Sequence, residues 1–489
     1  MDRALKSYKL DALLLAIGTL IRSMFERGSA VGQAILEERV ATFVRRGPVT
    51  MTAWHLSDLA YLAIQNTHDF AQHVARPPDV VELMNLFHER DGKLGSQWLD
   101  ALAPEDKTLA FAVGFSQKEF WYQELQRIRA EFNRQVEMLE VLAPRASDNL
   151  RIDAVCQQAT GFDLRTFRKL LFAMYAIGGK KTDVTNLTSD GSAERIEPSF
   201  TTANVRKAME YYTADYQQLR KNALGENAFF AWPIVRTASG RVVVVNEYFL
   251  ARKISDGPYW ILRDHYMTRE DRSKQEAFVR QFGELFDLYF EELLSFYFPR
   301  QAFNRVVEQG NSRKADWVLR HGGRVYVIEL KSSLLPLAAR KNYPDPALIR
   351  AYLPKLAEGV IQLDQTAQAI GDGPTPLKIL VHYEPLFISD GVLRPLAVDQ
   401  CASRLSSTER IFFSDLEDIE NLFQLMHDAP TVAEVVIREK MDMESRPDAA
   451  AIGREFRQVL QRHAEIKVNR FVHERINHYS TYVFPNHPA

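Results

Sequence analysis

Cysteine is nearly missing from this chain: Cys156 and Cys401 are the only two in 489 residues. They are far apart and match no metal-ligand spacing or disulfide framework, so buried thiols and a reducing compartment are expected. Charge imbalance is also small. Lys and Arg number 61 against 63 Asp and Glu, a net charge of −2, which excludes a protein that coats nucleic acid over its whole surface but leaves room for a local basic site. No apolar run is long enough for a bilayer. The stretch LDALLLAIGTLI, Leu10 to Ile21, is too short and carries Asp11. Arg3, Lys6 and Lys9 flank it as they would a leader, but no small-residue cleavage site follows, so it is expected to be an N-terminal amphipathic helix of a cytoplasmic protein with no membrane partner. A GxxxxGK[ST] loop, a Gly-x-Ser-x-Gly elbow and a fixed-period repeat are absent as well, which removes intrinsic nucleotide hydrolysis, that class of serine hydrolase and a named solenoid. His473 and His478 are five apart rather than four, so they do not share the helix face a zinc-protease motif needs.

What is present is a soluble globular composition, 46% apolar and 25% charged, in a chain long enough for two or three domains. Helical periodicity dominates residues 1–178, as in Gln117–Leu142 and Leu164–Ile177, and predicts a large all-α domain. Gly, Ser, Thr and Asp crowd residues 179–202, which read as a linker or mobile loop. Residues 203–272 read as a connector: a helix over Asn204–Leu224, then a hairpin turning at Ser239-Gly240. From 273 to 390 the order becomes helix, three strands, helix, strand, and 391–489 reads as a mostly helical extension.

The densest chemistry lies in Asn311–Ser333, NSRKADWVLRHGGRVYVIELKSS. Two strands flank a His321-Gly322-Gly323 turn, with Asp316 on the first and Glu329-Leu330-Lys331 ending the second. Alternation on a strand sends Glu329 and Lys331 to one face and Leu330 to the other. A strand ending Glu-x-Lys can also be a plain surface ion pair, so the triplet gains weight from Asp316 and the surrounding element order. A magnesium ion takes few carboxylates and wants oxygen ligands; Asp316, Glu329 and the Leu330 carbonyl form such a set. Lys331 can hold an attacking water or offset transition-state charge on a phosphodiester.

Those residues resemble the PD-(D/E)XK nuclease superfamily, the restriction-endonuclease-like fold, over about Lys274–Tyr383. The first acid matches Asp316, and the acid–x–lysine triplet matches Glu329 and Lys331; the proline that often precedes the first acid is Ala315 here. The resemblance implies an α/β nuclease domain behind the all-α one, with Mg2+ as cofactor and Mn2+ able to substitute. It implies a further metal ligand on the helix before the sheet. Gly283-Glu284-Leu285-Phe286-Asp287 fits that pattern, with Asp287 in the acid's place and Glu284 and Glu291 on the same face. It also implies a catalytic-site glutamine after the triplet, matched by Gln362.

Local charge points the same way. Eleven basic residues face four acids between Arg300 and Lys355, an excess of +7 suited to a phosphate backbone, with Tyr343 as a stacking candidate. The expectation is a Mg2+-dependent nuclease acting on nucleic acid, DNA first, in restriction, phage defence or repair. The helical N-terminal part would serve a partner protein or a homo-oligomer. An RNA-directed nuclease and a non-catalytic nucleic-acid-binding or assembly protein that keeps the fold are the alternatives.

Overall fold

The computed structural model describes residues 1–26, 51–67, 71–107, 109–110, 125–146, 150–178, 182–185, 200–221, 227–267, 271–306, 314–334, 343–371, 375–384, 394–406, 411–444, 459–460, 462–463, 466, 468–479 and 482. It is a mixed α/β protein with two small mixed sheets, of three and five strands, and a helical region. Among the described residues no helix is long and apolar enough to cross a membrane.

Near the N-terminus, helices α1 (Leu10–Glu26), α2 (Ala53–Asn66) and α3 (Pro77–Ala101) pack around Leu13, Ile17, Trp54, Leu59 and Met84. Asp11, which interrupts the first apolar run, is buried and accepts hydrogen bonds from the Tyr216 and Ser239 hydroxyls, the former at 2.6 Å. Helix α4 (Leu125–Val136) continues into a π-helical turn at Glu137–Leu142, and α5 (Leu164–Gly178) follows. The helix expected over Asn204–Leu224 is broken. It stops at Tyr211, Thr213–Asp215 forms strand β1, and helix resumes at Tyr216–Arg220. The break lets β1 pair in parallel with β2 (Ile234–Arg236), which is antiparallel to β3 (Val242–Val244). Part of the expected linker is also held: Asp183 bridges Val243, with Val184 N–H donating to the Val242 carbonyl at 2.8 Å.

This small sheet separates two cores. Val235 and Val243 face the N-terminal helices, whereas Ile234 and Val244 join a second core with α4, α5, α6 (Glu247–Ser255) and α7 (Arg272–Tyr297). Apolar packing therefore runs without interruption across residue 272.

Helix α7 is capped by Asp271, whose side chain accepts from Lys274 N–H, and Pro299 follows its end. Its buried Phe282, Phe286, Tyr289 and Leu293 recur every three or four residues and cover one face of the larger sheet. That sheet runs β4 (Phe303–Arg305), β5 (Trp317–His321), β6 (Arg324–Lys331), β7 (Leu377–His382), β8 (Ile411–Asp415), with β4–β6 antiparallel and β6–β8 parallel. Gly322 and Gly323 have φ of 59° and 75°, the left-handed pair that a two-residue hairpin turn requires. Helices α8 (Leu353–Ala369) and α9 (Arg394–Cys401) cover the opposite face through Val327, Leu356, Val360, Leu380 and Phe413. The larger sheet is thus the middle layer of three.

Helix α10 (Leu416–Asp428) carries a fully buried carboxylate, Glu420. It accepts from Arg134 of α4 at 2.9 and 2.6 Å, from the Tyr289 hydroxyl of α7 at 2.7 Å and from Asn469 near the C-terminus at 2.6 Å. Four distant parts of the chain meet on one charge. Removing one partner of such a pair strands the other in a low-dielectric interior, so Glu420→Ala should cost about 3–5 kcal/mol by denaturant unfolding. Arg134→Met with Glu420→Leu should recover most of that loss.

Candidate active site

The site lies where the β5–β6 pair ends, and strand alternation divides it between two faces. Glu329 and Lys331 follow Val325 and Val327 onto the α8 face; Leu330 and Ser332 turn toward α7. Asp316 was expected on the first strand, but it stands one residue before β5. From there Asp316 Oδ2 accepts the Leu330 N–H at 2.7 Å, which replaces a ladder bond with a side-chain bond. The Leu330 carbonyl projects from the same strand edge as that N–H, beside Asp316.

Glu329 is 2% exposed, and its carboxyl contacts that of Asp316, which keeps part of its surface in the cleft. One Glu329 oxygen, Oε1, accepts from Lys331 Nζ at 2.7 Å, while Oε2 is buried with no hydrogen-bond partner. Burial first, and the Asp316 charge next, push the Glu329 carboxyl well above the usual range; burial also raises Asp316. Two such groups this close hold a proton or call for a cation. Lys331 Nζ donates a second bond to Gln362 Oε1 at 2.9 Å, and Gln362 Nε2 donates to the Lys314 carbonyl at 3.2 Å. The structure therefore gathers Asp316, Glu329, Lys331 and Gln362 into one continuous contact chain.

The helix acids separate. Asp287 and Glu284 line a cleft of about 420 Å³ with Asp316, Arg305, Arg280 and Ser332, on the α7 face. Both Asp287 oxygens are engaged: Trp317 Nε1 donates to Oδ1 at 2.7 Å and the Arg305 guanidinium to Oδ2 at 2.7 Å. Burial dominates over Arg305 and lifts Asp287 to about 6. Glu291 lies one turn beyond, 3.9 Å from Arg300. Among the described residues no three His, Cys, Asp or Glu side chains converge as a metal-holding group. The fit to a divalent ion thus rests on Asp316, the unpartnered Glu329 Oε2 and the Leu330 carbonyl, an oxygen set of the kind Mg2+ accepts.

Two features were missed in the sequence. Gly359, one turn before Gln362, lies so close to β6 and β7 that a Cβ there would stand 2.6 Å from Lys331 Cε, 2.8 Å from Leu380 Cδ1 and 3.3 Å from Glu329 Cγ. A glycine inside an otherwise strong helix, three residues before the glutamine, was the available signal. Ala315 is the other: its N–H donates to Thr366 Oγ1 at 2.8 Å, a bond proline could not make, so the departure at this position fastens Asp316 to α8.

Set against known proteins, the chain matches no family model, no curated protein and no solved structure.

The expected surroundings need amending. Of the eleven basic residues, Arg300, Arg305, Arg324 and Arg350 pair with Glu291, Asp287, Glu434 and Asp106, all outside the Arg300–Lys355 window, so the local excess is partly neutralised in three dimensions. Arg313, Arg340 and Lys341 lie outside the described residues. Tyr343 donates to Asp91 Oδ1 of α3 at 2.6 Å and packs on Trp98, so it docks the N-terminal helices. His382 is buried against Phe413.

Gly359→Ala should displace Lys331 while leaving its chemistry intact. Any turnover at this site should fall by about ten-fold or more with a smaller loss of stability, checked by comparing rates with unfolding midpoints. The raised carboxyls set a pH trend. Between the usual carboxylate range, near 4, and its higher native value, Glu329 keeps in the folded chain a proton that the unfolded chain has released, so stability falls as pH rises through that window. Glu329→Gln should therefore stabilise the chelator-treated protein at neutral pH by about 1–3 kcal/mol and flatten that decline, read by denaturation at pH 5 and pH 8.

Proposed function

We propose that this protein is a Mg2+-dependent nuclease, with Mn2+ able to substitute, and that DNA is its first substrate class. The observation that carries the proposal is the buried Glu329 carboxyl held against Asp316, its Oε2 without a hydrogen-bond partner, with Lys331 held beside them by Gln362. Glu137 Oε1 and Asp256 Oδ1 are also buried without a partner, and what sets Glu329 apart from them is the second carboxyl, Asp316, held against it. The mixed sheet, with its hairpin between α7 and α8, supports the resemblance to the PD-(D/E)XK superfamily drawn from Asp316, Glu329 and Lys331.

In this reading Asp316, Glu329 Oε2 and the Leu330 carbonyl hold the ion. When bound, the ion supplies Lewis-acid stabilisation of charge growing on the phosphate. Lys331, tied to Glu329 and Gln362, places its ammonium at the end of β6 to orient the attacking water and offset negative charge in the transition state. Gln362 fixes Lys331 and, through the Lys314 carbonyl, the segment that leads to Asp316. Placement in restriction, phage defence or repair belongs to the same proposal, as does a partner protein or second copy on the helical region.

One observation favours a second reading, a nucleic-acid-binding protein without turnover: Lys331 and Arg305 already meet Glu329 and Asp287 as counter-charges. Salt-sensitive DNA binding with no cleavage under any divalent ion would be its signature.

Incubation of plasmid and linear DNA with Mg2+ or Mn2+ decides between them. Cleavage should vanish in EDTA and fall by about a hundred-fold or more in Asp316→Asn, Glu329→Gln and Lys331→Met. Cutting that survives Glu329→Gln would overturn the assignment.

A further inference from the structure

Asp287 is the puzzle of the site. It is buried in the wall of the cleft that Asp316 also lines, yet it is turned away from a shared ligand set by two donors. The donors differ. Trp317 is 1% exposed, sits in the core between α7 and the sheet, and its indole N–H donates to Asp287 Oδ1. Arg305 stands on β4, the edge strand, with a side chain 62% exposed. One bond is part of the core; the other is a surface cation resting on a buried acid.

Nearby charge makes that position consequential. Arg305 and Lys331 are the cations whose fields act on Asp316, and Lys331 is already spent on Glu329 and Gln362. Arg305 thus serves the α7 side of the cleft as counter-charge to Asp287 and Asp316 together. A divalent ion on Asp316 would carry the same sign into the same cleft, repel the guanidinium and attract the carboxylate that the guanidinium covers. An exposed arginine can leave by rotating its side chain, whereas the indole cannot move without opening the core.

We propose that Arg305 is a placeholder cation for the metal site: it occupies Asp287 until a divalent ion arrives, is displaced, and then holds a phosphate of the nucleic acid at the cleft rim. Arg305 is in this respect a positioning residue, and metal and guanidinium compete for one carboxylate. The inference rests on the proposed nuclease function, since it needs an ion at Asp316.

Competition has a signature that a static ion pair lacks. Calorimetric titration with Mn2+ should show Arg305→Gln binding the ion at least about five-fold more tightly than the parent chain, the lower end of ordinary site-to-site coupling. Arg305→Lys, which retains the charge, should stay close to the parent and shows that the gain does not come from a loosened fold. Tryptophan emission should change on adding Mn2+, and Trp317→Phe should abolish that change, because Trp317 is bonded to the acid whose counter-charge is exchanged. Binding of a DNA duplex in Ca2+ should lose about one from its salt slope in Arg305→Gln, with no such loss in EDTA, where the guanidinium still rests on Asp287. Unchanged or weaker Mn2+ binding by Arg305→Gln overturns the placeholder role and leaves the nuclease proposal standing. An equal loss of salt slope with and without Ca2+ also overturns it, since the arginine would then be a permanent phosphate contact. If neither the parent chain nor Arg305→Gln binds Mn2+, the nuclease proposal itself falls.

Discussion

Contact between the Asp316 and Glu329 carboxyl groups is the constraint to which the rest of the site answers. Burial raises the proton affinity of both groups, the Asp316 charge raises that of Glu329 further, and the pair needs a positive partner. Lys331 satisfies one Glu329 oxygen and leaves the other without a partner. The surrounding structure serves to prevent escape from this crowding. Leu330 N–H pins Asp316, Gln362 pins Lys331, and the absent side chain of Gly359 lets α8 press the strand from behind. A surface pair would relax by rotating into water; this one is enclosed.

The enclosure depends on packing beyond the hairpin. Helix α7 covers the face on which Trp317 reaches Asp287, and α8 covers the face that carries Glu329 and Lys331. These layers are in turn fastened to the rest of the chain by Glu420, the buried acid shared by α4, α7 and the segment at Asn469. Tyr343 and Arg350, near the start of α8, are tied to Asp91 and Asp106 of the N-terminal region. The helical region is therefore part of the site's support, since it holds the connection from β6 to α8 from outside.

Much of the hairpin was legible residue by residue. Alternation of Val325, Val327 and Glu329 fixes their face; the two glycines announce the turn; three-to-four-residue apolar spacing marks α7. These are local signals, set by backbone sterics and by which face meets water. The break at Tyr212 was legible only as a restart, through the Asp215-x-x-Gln218 capping box, whereas the strand before it depends on pairing with Ile234. The fate of the basic excess was not legible, since a charge count along the chain cannot show that Asp106 and Glu434 arrive from far away to meet Arg350 and Arg324.

By itself the sequence determined the candidate chemistry: an acid, then an acid and a lysine two apart on one strand, in a helix–strand order that sets them at a sheet end. The tertiary structure decided what those groups experience. It made Glu329 buried, paired Lys331 with Gln362, demanded glycine at 359, and set Asp287 behind an exposed arginine while Glu291 went to Arg300. The reason is physical. Strand alternation and turn sterics act between neighbours in the chain, whereas desolvation, charge pairing and close approach act between neighbours in space.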